Sequence, residues 1–169
     1  MNLDISKISS EKGASMDFSF NGGISKPDAC NPGITFLEPV SVKGTITNFK
    51  GQFLAEGFVT TKVSLLCSRC LNPVDIDINF KLRETFASSD NGNNEIEIFK
   101  GNTIELDDVL YRNIISKLPM KPLCSDDCKG LCPKCGMNLN DGNCSCNSES
   151  EVDPRFNKLR AIFKVDEEV

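Results

Sequence analysis

Histidine is absent from this chain of 169 residues, and its absence restricts the chemistry open to the protein. Histidine is the commonest general base in enzymes and a frequent zinc ligand. A Ser–His hydrolase site and a His-containing zinc motif are therefore excluded, and no glycine-rich nucleotide-binding loop is present. Any zinc site must use cysteine, alone or with a carboxylate.

Long apolar segments and positive charge are also scarce. No segment approaches eighteen apolar residues, and the first residues lack the basic start and apolar stretch of a signal peptide. The net charge of −5 is the opposite of the broad basic surface expected of an autonomous nucleic-acid binder. We therefore expect a cytoplasmic protein with no membrane segment, whose contacts with RNA are local or arranged through a protein partner.

Cysteine, by contrast, is abundant. Six of the nine cysteines lie between Pro122 and Cys146, in a stretch too poor in apolar residues to order itself by burial. Within it, Cys132-Pro-Lys-Cys135 can turn two sulfurs toward one ion, and Gly136 permits the positive φ of such a turn. Zinc is favoured over iron because the spacing matches neither common ferredoxin pattern. A disulfide cluster and a redox-active CxxC are the alternatives.

A second CxxC, Cys67-Ser-Arg-Cys70, falls at the tip of a predicted hairpin. Alone, this pair fits either small buried residues or metal ligands. Together with the six cysteines downstream it makes eight, which is enough for two Cys₄ sites. The ninth, Cys30, is interpreted as an unpaired thiol in a loop.

The first hundred residues have the pattern of β-strands. Alternation of apolar and polar residues is clearest after Pro73, where Val74, Ile76 and Ile78 are predicted to face inward and Asp75 and Asp77 outward. The predicted strands are Leu3 to Ile8, Ser15 to Phe20, Val40 to Thr47, Phe53 to Cys67 and Val74 to Arg83. We expect the last three to form an antiparallel meander.

Two helices and a short hairpin are predicted downstream. The hairpin joins Ile96–Phe99 to Asn102–Leu106, and Asp107 or Asp108 is then expected to cap a core helix. That helix carries an apolar stripe comprising Leu110, Tyr111, Ile114, Ile115 and Leu118. A last helix, Arg155 to Lys164, follows an acidic linker.

The predicted fold class is α+β, in three parts. Residues 1–118 form an antiparallel β-rich meander domain with the hairpin CxxC and one core helix. Residues 119–147 form a Cys-rich zinc-binding segment, and 148–169 form a linker and a C-terminal helix.

Three motifs resemble those of the YceD family, also called the large ribosomal RNA subunit accumulation protein family. They are CSRCL, then PLCSDDCKGLCPKCGMNLNDGNCSC, then VDPRFNKLRAIF, and the resemblance extends from about Val59 to Phe163. It implies a bacterial cytosolic protein, not an enzyme, needed for accumulation or processing of large-subunit ribosomal RNA.

The resemblance also suggests how the cysteines pair. One zinc would be held by Cys67, Cys70, Cys124 and Cys128, and a second by Cys132, Cys135, Cys144 and Cys146. A single zinc held by Cys128, Cys132, Cys135 and either Cys144 or Cys146 is the alternative.

We expect a non-catalytic ribosome-biogenesis factor that binds ribosomal RNA or a large-subunit ribosomal protein through a zinc-stabilised surface. No small-molecule substrate is evident. The candidate contact residues are basic and lie near the cysteines or on the last helix: Arg69, Lys121, Lys129, Lys134, Arg155 and Arg160. The alternatives are a thiol-dependent redox enzyme, a metal-dependent enzyme and a purely structural zinc protein.

Overall fold

The computed structural model describes residues 1–24, 33–88 and 96–146, which are mainly β-strands. The strands are β1 (Asn2–Asp4), β2 (Ser15–Gly22), β3 (Thr35–Phe36), β4 (Val40–Phe49), β5 (Gln52–Leu66), β6 (Pro73–Ala87), β7 (Ile96–Ile98) and β8 (Thr103–Glu105). The helices are α1 (Ser6–Ser9) and α2 (Asp107–Lys117). The chain divides into two compact units, Met1–Gly130 and Leu131–Val169.

One six-stranded sheet forms most of the first unit. Its order is β2-β4-β5-β6-β7, with β3 also beside β5, while β1 and β8 form a separate pair. The antiparallel meander of β4, β5 and β6 is confirmed. The turn from β4 to β5 is at Lys50 and Gly51, whose φ angles of 55° and 91° are both positive. Such pairs of positive φ angles match the twist of adjacent strands in tight hairpins.

The inward faces of the long strands and one face of α2 share a core. In β6 the predicted alternation is confirmed, since Ile78 and Leu82 are buried while Asp77 and Lys81 are exposed. Helix α2 contributes Val109, Leu110 and Ile114, all buried. Burial of such side chains contributes about 1.5–3 kcal/mol each, so the first unit has an apolar core of its own.

Two glycines face each other across β4 and β5. Gly44 is paired with Gly57. A Cβ added at Gly44 would lie 2.2 Å from the Glu56 carbonyl oxygen, and one added at Gly57 would lie 2.5 Å from that of Lys43. Only glycine permits this approach, which is typical of places where a sheet bends sharply.

The prediction of a strand from Leu3 to Ile8 is wrong in its second half. β1 ends at Asp4, and α1 begins at Ser6. The Asp4 carboxylate accepts hydrogen bonds from the Ser6 backbone N–H at 2.9 Å and from the Ser6 hydroxyl at 2.6 Å. This local bonding stabilises a turn and helix start in place of a continued strand.

The predicted hairpin of Ile96–Phe99 with Asn102–Leu106 is also wrong. A turn does occur at Gly101, with an isolated bridge between Lys100 and Thr103, but the strands on either side pair elsewhere. β7 runs parallel to β6, and β8 pairs with β1. Both are only three residues long, so partners elsewhere in the fold decide their pairing.

The predicted cap of α2 is wrong as well. The N-cap is Leu106, without a side-chain cap hydrogen bond, and Asp107 already belongs to the helix. Its carboxylate accepts a hydrogen bond from the Met1 amino group at 2.6 Å. An acidic residue in the first turn still interacts favourably with the helix dipole.

Several predictions fall outside the described residues. These are the loop thiol Cys30, the acidic linker and the helix from Arg155 to Lys164. The division into 1–118, 119–147 and 148–169 stays a prediction. Among the described residues, no helix has both the length and the apolar character needed to cross a membrane.

Candidate metal centres

Four cysteines of the first unit meet where β5 turns into β6. We call them cysteine group 1: Cys67, Cys70, Cys124 and Cys128, whose sulfurs all lie within 4.8 Å of one another. Cys67 directly follows β5, and Cys70 lies in the connection to β6. The other two follow α2 in sequence. Three of the four are buried and Cys124 is exposed.

Hydrogen bonds hold the segment after α2 against the β5–β6 connection. The Ser68 N–H donates to the Pro122 carbonyl at 2.8 Å. The Arg69 guanidinium donates through Nη1 to the carbonyls of Cys128 at 2.8 Å and Asp126 at 3.2 Å. These bonds fix two distant segments in the register that group 1 requires.

Gly130 provides a further contact between the segment after α2 and the β5–β6 connection. Its φ of 76° lies in the left-handed region, and a Cβ there would be 3.1 Å from the Arg69 carbonyl oxygen. Both conditions favour glycine at this position.

Four cysteines of the second unit form cysteine group 2: Cys132, Cys135, Cys144 and Cys146, again with sulfurs within 4.8 Å of one another. Cys132 is buried, Cys135 is exposed, and the other two are partly buried. The surrounding backbone is held by local bonds, including an isolated bridge between Leu131 and Asn138.

The two CxxC segments have the same backbone hydrogen bonds. In knuckle 1 (Cys67–Asn72), the Cys67 N–H donates to the Asn72 carbonyl at 2.8 Å and the Leu71 N–H to the Cys67 carbonyl at 3.0 Å. In knuckle 2 (Cys132–Met137), the equivalent bonds are 2.8 Å and 2.9 Å long. The residue after the second cysteine has a positive φ in both, 60° at Leu71 and 74° at Gly136. One local conformation therefore presents both pairs of sulfurs.

Distances between sulfurs match metal coordination and not disulfides. The Sγ–Sγ distances are 3.8 Å for Cys67–Cys128, 3.5 Å for Cys70–Cys124 and 3.4 Å for Cys132–Cys144. A disulfide bond is only about 2.05 Å long. Four thiolates about 2.3 Å from one ion at tetrahedral angles lie about 3.8 Å apart. Each group can therefore hold one metal ion with little movement.

Backbone N–H groups favour the thiolate form of the first cysteine in each knuckle. The amides of Cys70 and Arg69 lower the pKa of Cys67 to about 6, although burial opposes them. The amides of Cys135 and Lys134 do the same for Cys132, whose pKa is also lowered to about 6. Each group thus offers one anionic ligand near neutral pH.

Burial and close contact between thiols raise the pKa of other cysteines in the two groups. The Asn72 N–H lowers the pKa of Cys70, but burial and the neighbouring thiols outweigh it and raise that pKa to about 12. Proximity to Cys135, together with burial, raises the pKa of Cys146 to about 12. The thiol of Cys128 raises the pKa of Cys124. Four thiolates so close together need a cation to offset their repulsion.

Comparison with known proteins supports the assignment suggested by the cysteine motifs. The family described as "Large ribosomal RNA subunit accumulation protein YceD" matches residues 55–163. The chain belongs to the YceD family. This match includes both knuckles and all eight cysteines of the two groups.

Several curated proteins are similar to this YceD-family chain. An uncharacterized protein of Mycobacterium tuberculosis is 33% identical over 112 residues, covering 63% of this chain and 53% of the relative. The uncharacterized protein YlbN of Bacillus subtilis is 26% identical, covering 82% of each. A maize protein, "Large ribosomal RNA subunit accumulation protein YCED homolog 1, chloroplastic", is 28% identical, covering 75% of this chain and 54% of the relative.

The chain thus spans about half the length of the mycobacterial relatives it matches. No solved structure matches it.

The basic residues singled out in the sequence have different surroundings. Lys121, Lys129 and Lys134 are exposed. Arg69 is exposed too, but its guanidinium also donates hydrogen bonds to backbone carbonyls of the segment that carries Cys128. Arg155 and Arg160 lie outside the described residues.

In this YceD-family chain, the structural contribution of Arg69 and Gly130 could not be predicted from the sequence. The Arg69 guanidinium bonds to the segment around Cys128, and Gly130 lies against the Arg69 backbone. These contacts join segments far apart in the chain, and no local pattern indicates them. The only available signal was a glycine two residues after Cys128, which is consistent with a positive φ.

Proposed function

We propose that this chain is a non-catalytic factor for the accumulation of large-subunit ribosomal RNA. It binds ribosomal RNA or a large-subunit ribosomal protein through a surface whose shape depends on two zinc ions. The observation that carries the proposal is the presence of two complete Cys₄ groups within the part of the chain that matches the YceD family.

Zinc is the metal that the donor set favours. Every candidate ligand atom is sulfur, and the distances between sulfurs suit a tetrahedral site. Closed tetrahedral sites made of four cysteines are typical of structural zinc. Zinc supplies cross-linking and charge neutralisation there, with no open position for water. The arrangement therefore favours a structural part for the metal over a hydrolytic or redox one.

The proposed ribosomal role rests on family membership and on the names of relatives. The family description and the maize and Arabidopsis thaliana relatives all refer to large ribosomal RNA subunit accumulation. Eight thiols that bind metal require a reducing compartment, which supports a cytoplasmic location.

The proposed contact residues are exposed basic residues next to each of the two cysteine groups. Lys121 and Lys129 flank the ligands of group 1, and Lys134 lies inside knuckle 2. The net charge of −5 restricts phosphate contacts to a few such positions. Arg69 completes the proposed set, together with Arg155 and Arg160 of the helix predicted from the sequence.

Co-sedimentation with ribosomal particles, followed by filter binding to fragments of large-subunit ribosomal RNA, tests the proposal. We expect the zinc-loaded protein to sediment with large-subunit particles. If it contacts phosphates directly, the logarithm of the binding constant falls with the logarithm of salt concentration, by about 0.7–0.9 per contact. If the binding constant does not change with salt concentration but the protein still sediments with the particles, the contact is assigned to a ribosomal protein. Absence from all ribosomal particles rejects the proposal.

Lys121→Glu gives the matching residue-level test, with Lys12→Glu as its control. Both lysines are exposed and both substitutions change the net charge equally. If Lys121 contacts a phosphate, its substitution reduces the salt slope by about 1 and the control leaves it unchanged. Equal effects of the two variants would assign the change to overall charge.

A further inference from the structure

The outer edge of β6 has no partner over most of its length among the described residues. On one side, β5 pairs with β6 from Pro73 to Ala87. On the other side, β7 pairs only with Thr85, Phe86 and Ala87. Within the described part of the chain, the stretch from Val74 to Glu84 is therefore an unpaired edge, bounded by a proline and by the start of β7. Such an edge presents backbone donors and acceptors to another strand.

The exposed face of this edge carries an ordered set of charges. Alternate residues point outward, and all are exposed: Asp75, Asp77, Asn79, Lys81 and Arg83. Two acidic residues precede the asparagine and two basic residues follow it. An antiparallel copy of the same strand therefore presents the complementary sequence of charges.

We propose that two copies of this chain pair antiparallel along this edge, with Asn79 opposite Asn79 of the second copy. In that register Asp75 lies opposite Arg83, and Asp77 lies opposite Lys81. Because the arrangement has two-fold symmetry, each of these pairs occurs twice. Cross-strand pairs of opposite charge stabilise a sheet, and like charges directly opposite destabilise it.

The limits of the free edge favour the same register. Asn79 is the midpoint between Val74 and Glu84, so the unpaired stretches of the two copies overlap completely. The inward face matches too, since Ile76 meets Leu82 and Ile78 meets Phe80. If the two strands shift by two residues relative to one another, at least one charged residue loses its partner of opposite charge. A shift by one residue places the apolar side chains of one copy beside the charged side chains of the other.

The neighbouring strand β5 extends the alternation of charge. Lys62 lies opposite Asp77, and Glu56 lies opposite Arg83, with which it forms an ion pair at 3.4 Å. In the dimer, one row across the joined sheets would run Lys62, Asp77, then Lys81 of the second copy. Another would run Glu56, Arg83, then Asp75 of the second copy. Asp77 and Arg83, the middle residues of these rows, would then each have a residue of opposite charge on both sides.

Sedimentation analysis of the full zinc-loaded chain tests the proposal through charge reversal. The wild-type chain should show a concentration-dependent mass approaching twice 18.6 kDa. Asp77→Lys and Lys81→Asp should each weaken dimerisation at least about tenfold, because each places like charges opposite one another twice. An equimolar mixture of the two variants should dimerise again, because the substituted side chains at positions 77 and 81 would then face residues of opposite charge.

Asp17→Lys serves as the matched control. Asp17 is exposed on β2, at the other edge of the sheet, and the substitution changes the net charge as Asp77→Lys does. Dimerisation should be unchanged in this variant. Circular dichroism checks that each variant folds, and Asp75→Arg mixed with Arg83→Asp repeats the test at the outer pairs.

Three results would overturn the proposal. The first is a wild-type chain that stays monomeric at the highest concentration, as expected if another part of the chain or a different protein covers the edge. The second is equal weakening by Asp77→Lys and Asp17→Lys. The third is a mixture of complementary variants that does not recover dimerisation.

Discussion

Leu71 and Gly136 occupy the same position in their knuckles, but only glycine suits the conformation. Both have a positive φ, 60° at Leu71 and 74° at Gly136. For residues other than glycine the left-handed region costs about 1–2 kcal/mol. Leu71 is 58% exposed, so burial of its side chain offsets little of this strain. Knuckle 1 therefore holds more backbone strain than knuckle 2.

We expect opposite effects from exchanging these residue types. Leu71→Gly should strengthen metal retention in group 1 by up to about 1 kcal/mol, because relief of strain exceeds the entropic cost of glycine. Gly136→Ala should weaken group 2 by about 1 kcal/mol. Competition with a chromogenic chelator measures both. Changes of the same sign in the two variants would contradict this explanation.

Single cysteine substitutions distinguish two metal sites from one. In the proposed arrangement, Cys124→Ser removes a ligand of group 1 and Cys135→Ser removes a ligand of group 2. Each should lower the metal content from two ions per chain to one, as measured by elemental analysis. A single site using Cys128, Cys132 and Cys135 predicts one ion in the wild-type chain and no loss in Cys124→Ser.

At the scale of elements, the Gly44–Gly57 pair determines how closely β4 and β5 approach. Gly44→Ala would place a methyl group within 3 Å of three backbone atoms of β5. Overpacking of this kind typically costs about 1–3 kcal/mol. Urea denaturation should show that loss. Gly23→Ala is the control, because a Cβ there meets nothing within 4 Å, and a comparable loss in that variant would point to a general effect of removing glycine.

The sequence was sufficient for the long strands because their own side chains specify them. The alternation of apolar and polar residues along β6 indicated which of its side chains are buried, whatever the neighbouring strands. The three-residue strands β7 and β8 carry too little pattern to choose a partner. Adjacency in sequence favoured a hairpin, whereas the fold pairs one strand with β6 and the other with β1.

The candidate site could be predicted only in part for a similar reason. Local spacing predicted that CxxC pairs present two sulfurs each, and the shared hydrogen bonds of the knuckles agree with this. Which pairs meet depends on bonds such as Ser68 to Pro122, between segments that no sequence period relates. The family resemblance suggested the two groups of cysteines that the structure contains. The number of cysteines alone left this grouping open.

At the scale of the whole molecule, the two units should respond differently to metal removal. The first has an apolar core, whereas in residues 131–146 only Cys132 is buried. Chelation at neutral pH should therefore unfold 131–146 and leave the sheet intact. Hydrogen exchange should show protection lost in 131–146 and around knuckle 1 but kept in β4, β5 and β6. Loss of protection throughout the sheet would contradict an independent core.

In the proposed arrangement, the sequence separation of the cysteines in each group also determines the order of events during synthesis. Cys132 and Cys144 are 12 residues apart, whereas Cys67 and Cys128 are 61 apart. Closing the longer loop costs about 1.4 kcal/mol more in chain entropy. During translation, Cys67 and Cys70 emerge before the other two cysteines of group 1. They would have to stay reduced, without a complete metal site, until β6, α2 and the segment with Cys124 and Cys128 have been made. The nascent chain is consequently most vulnerable to oxidation, and to capture of the wrong ion, in that interval.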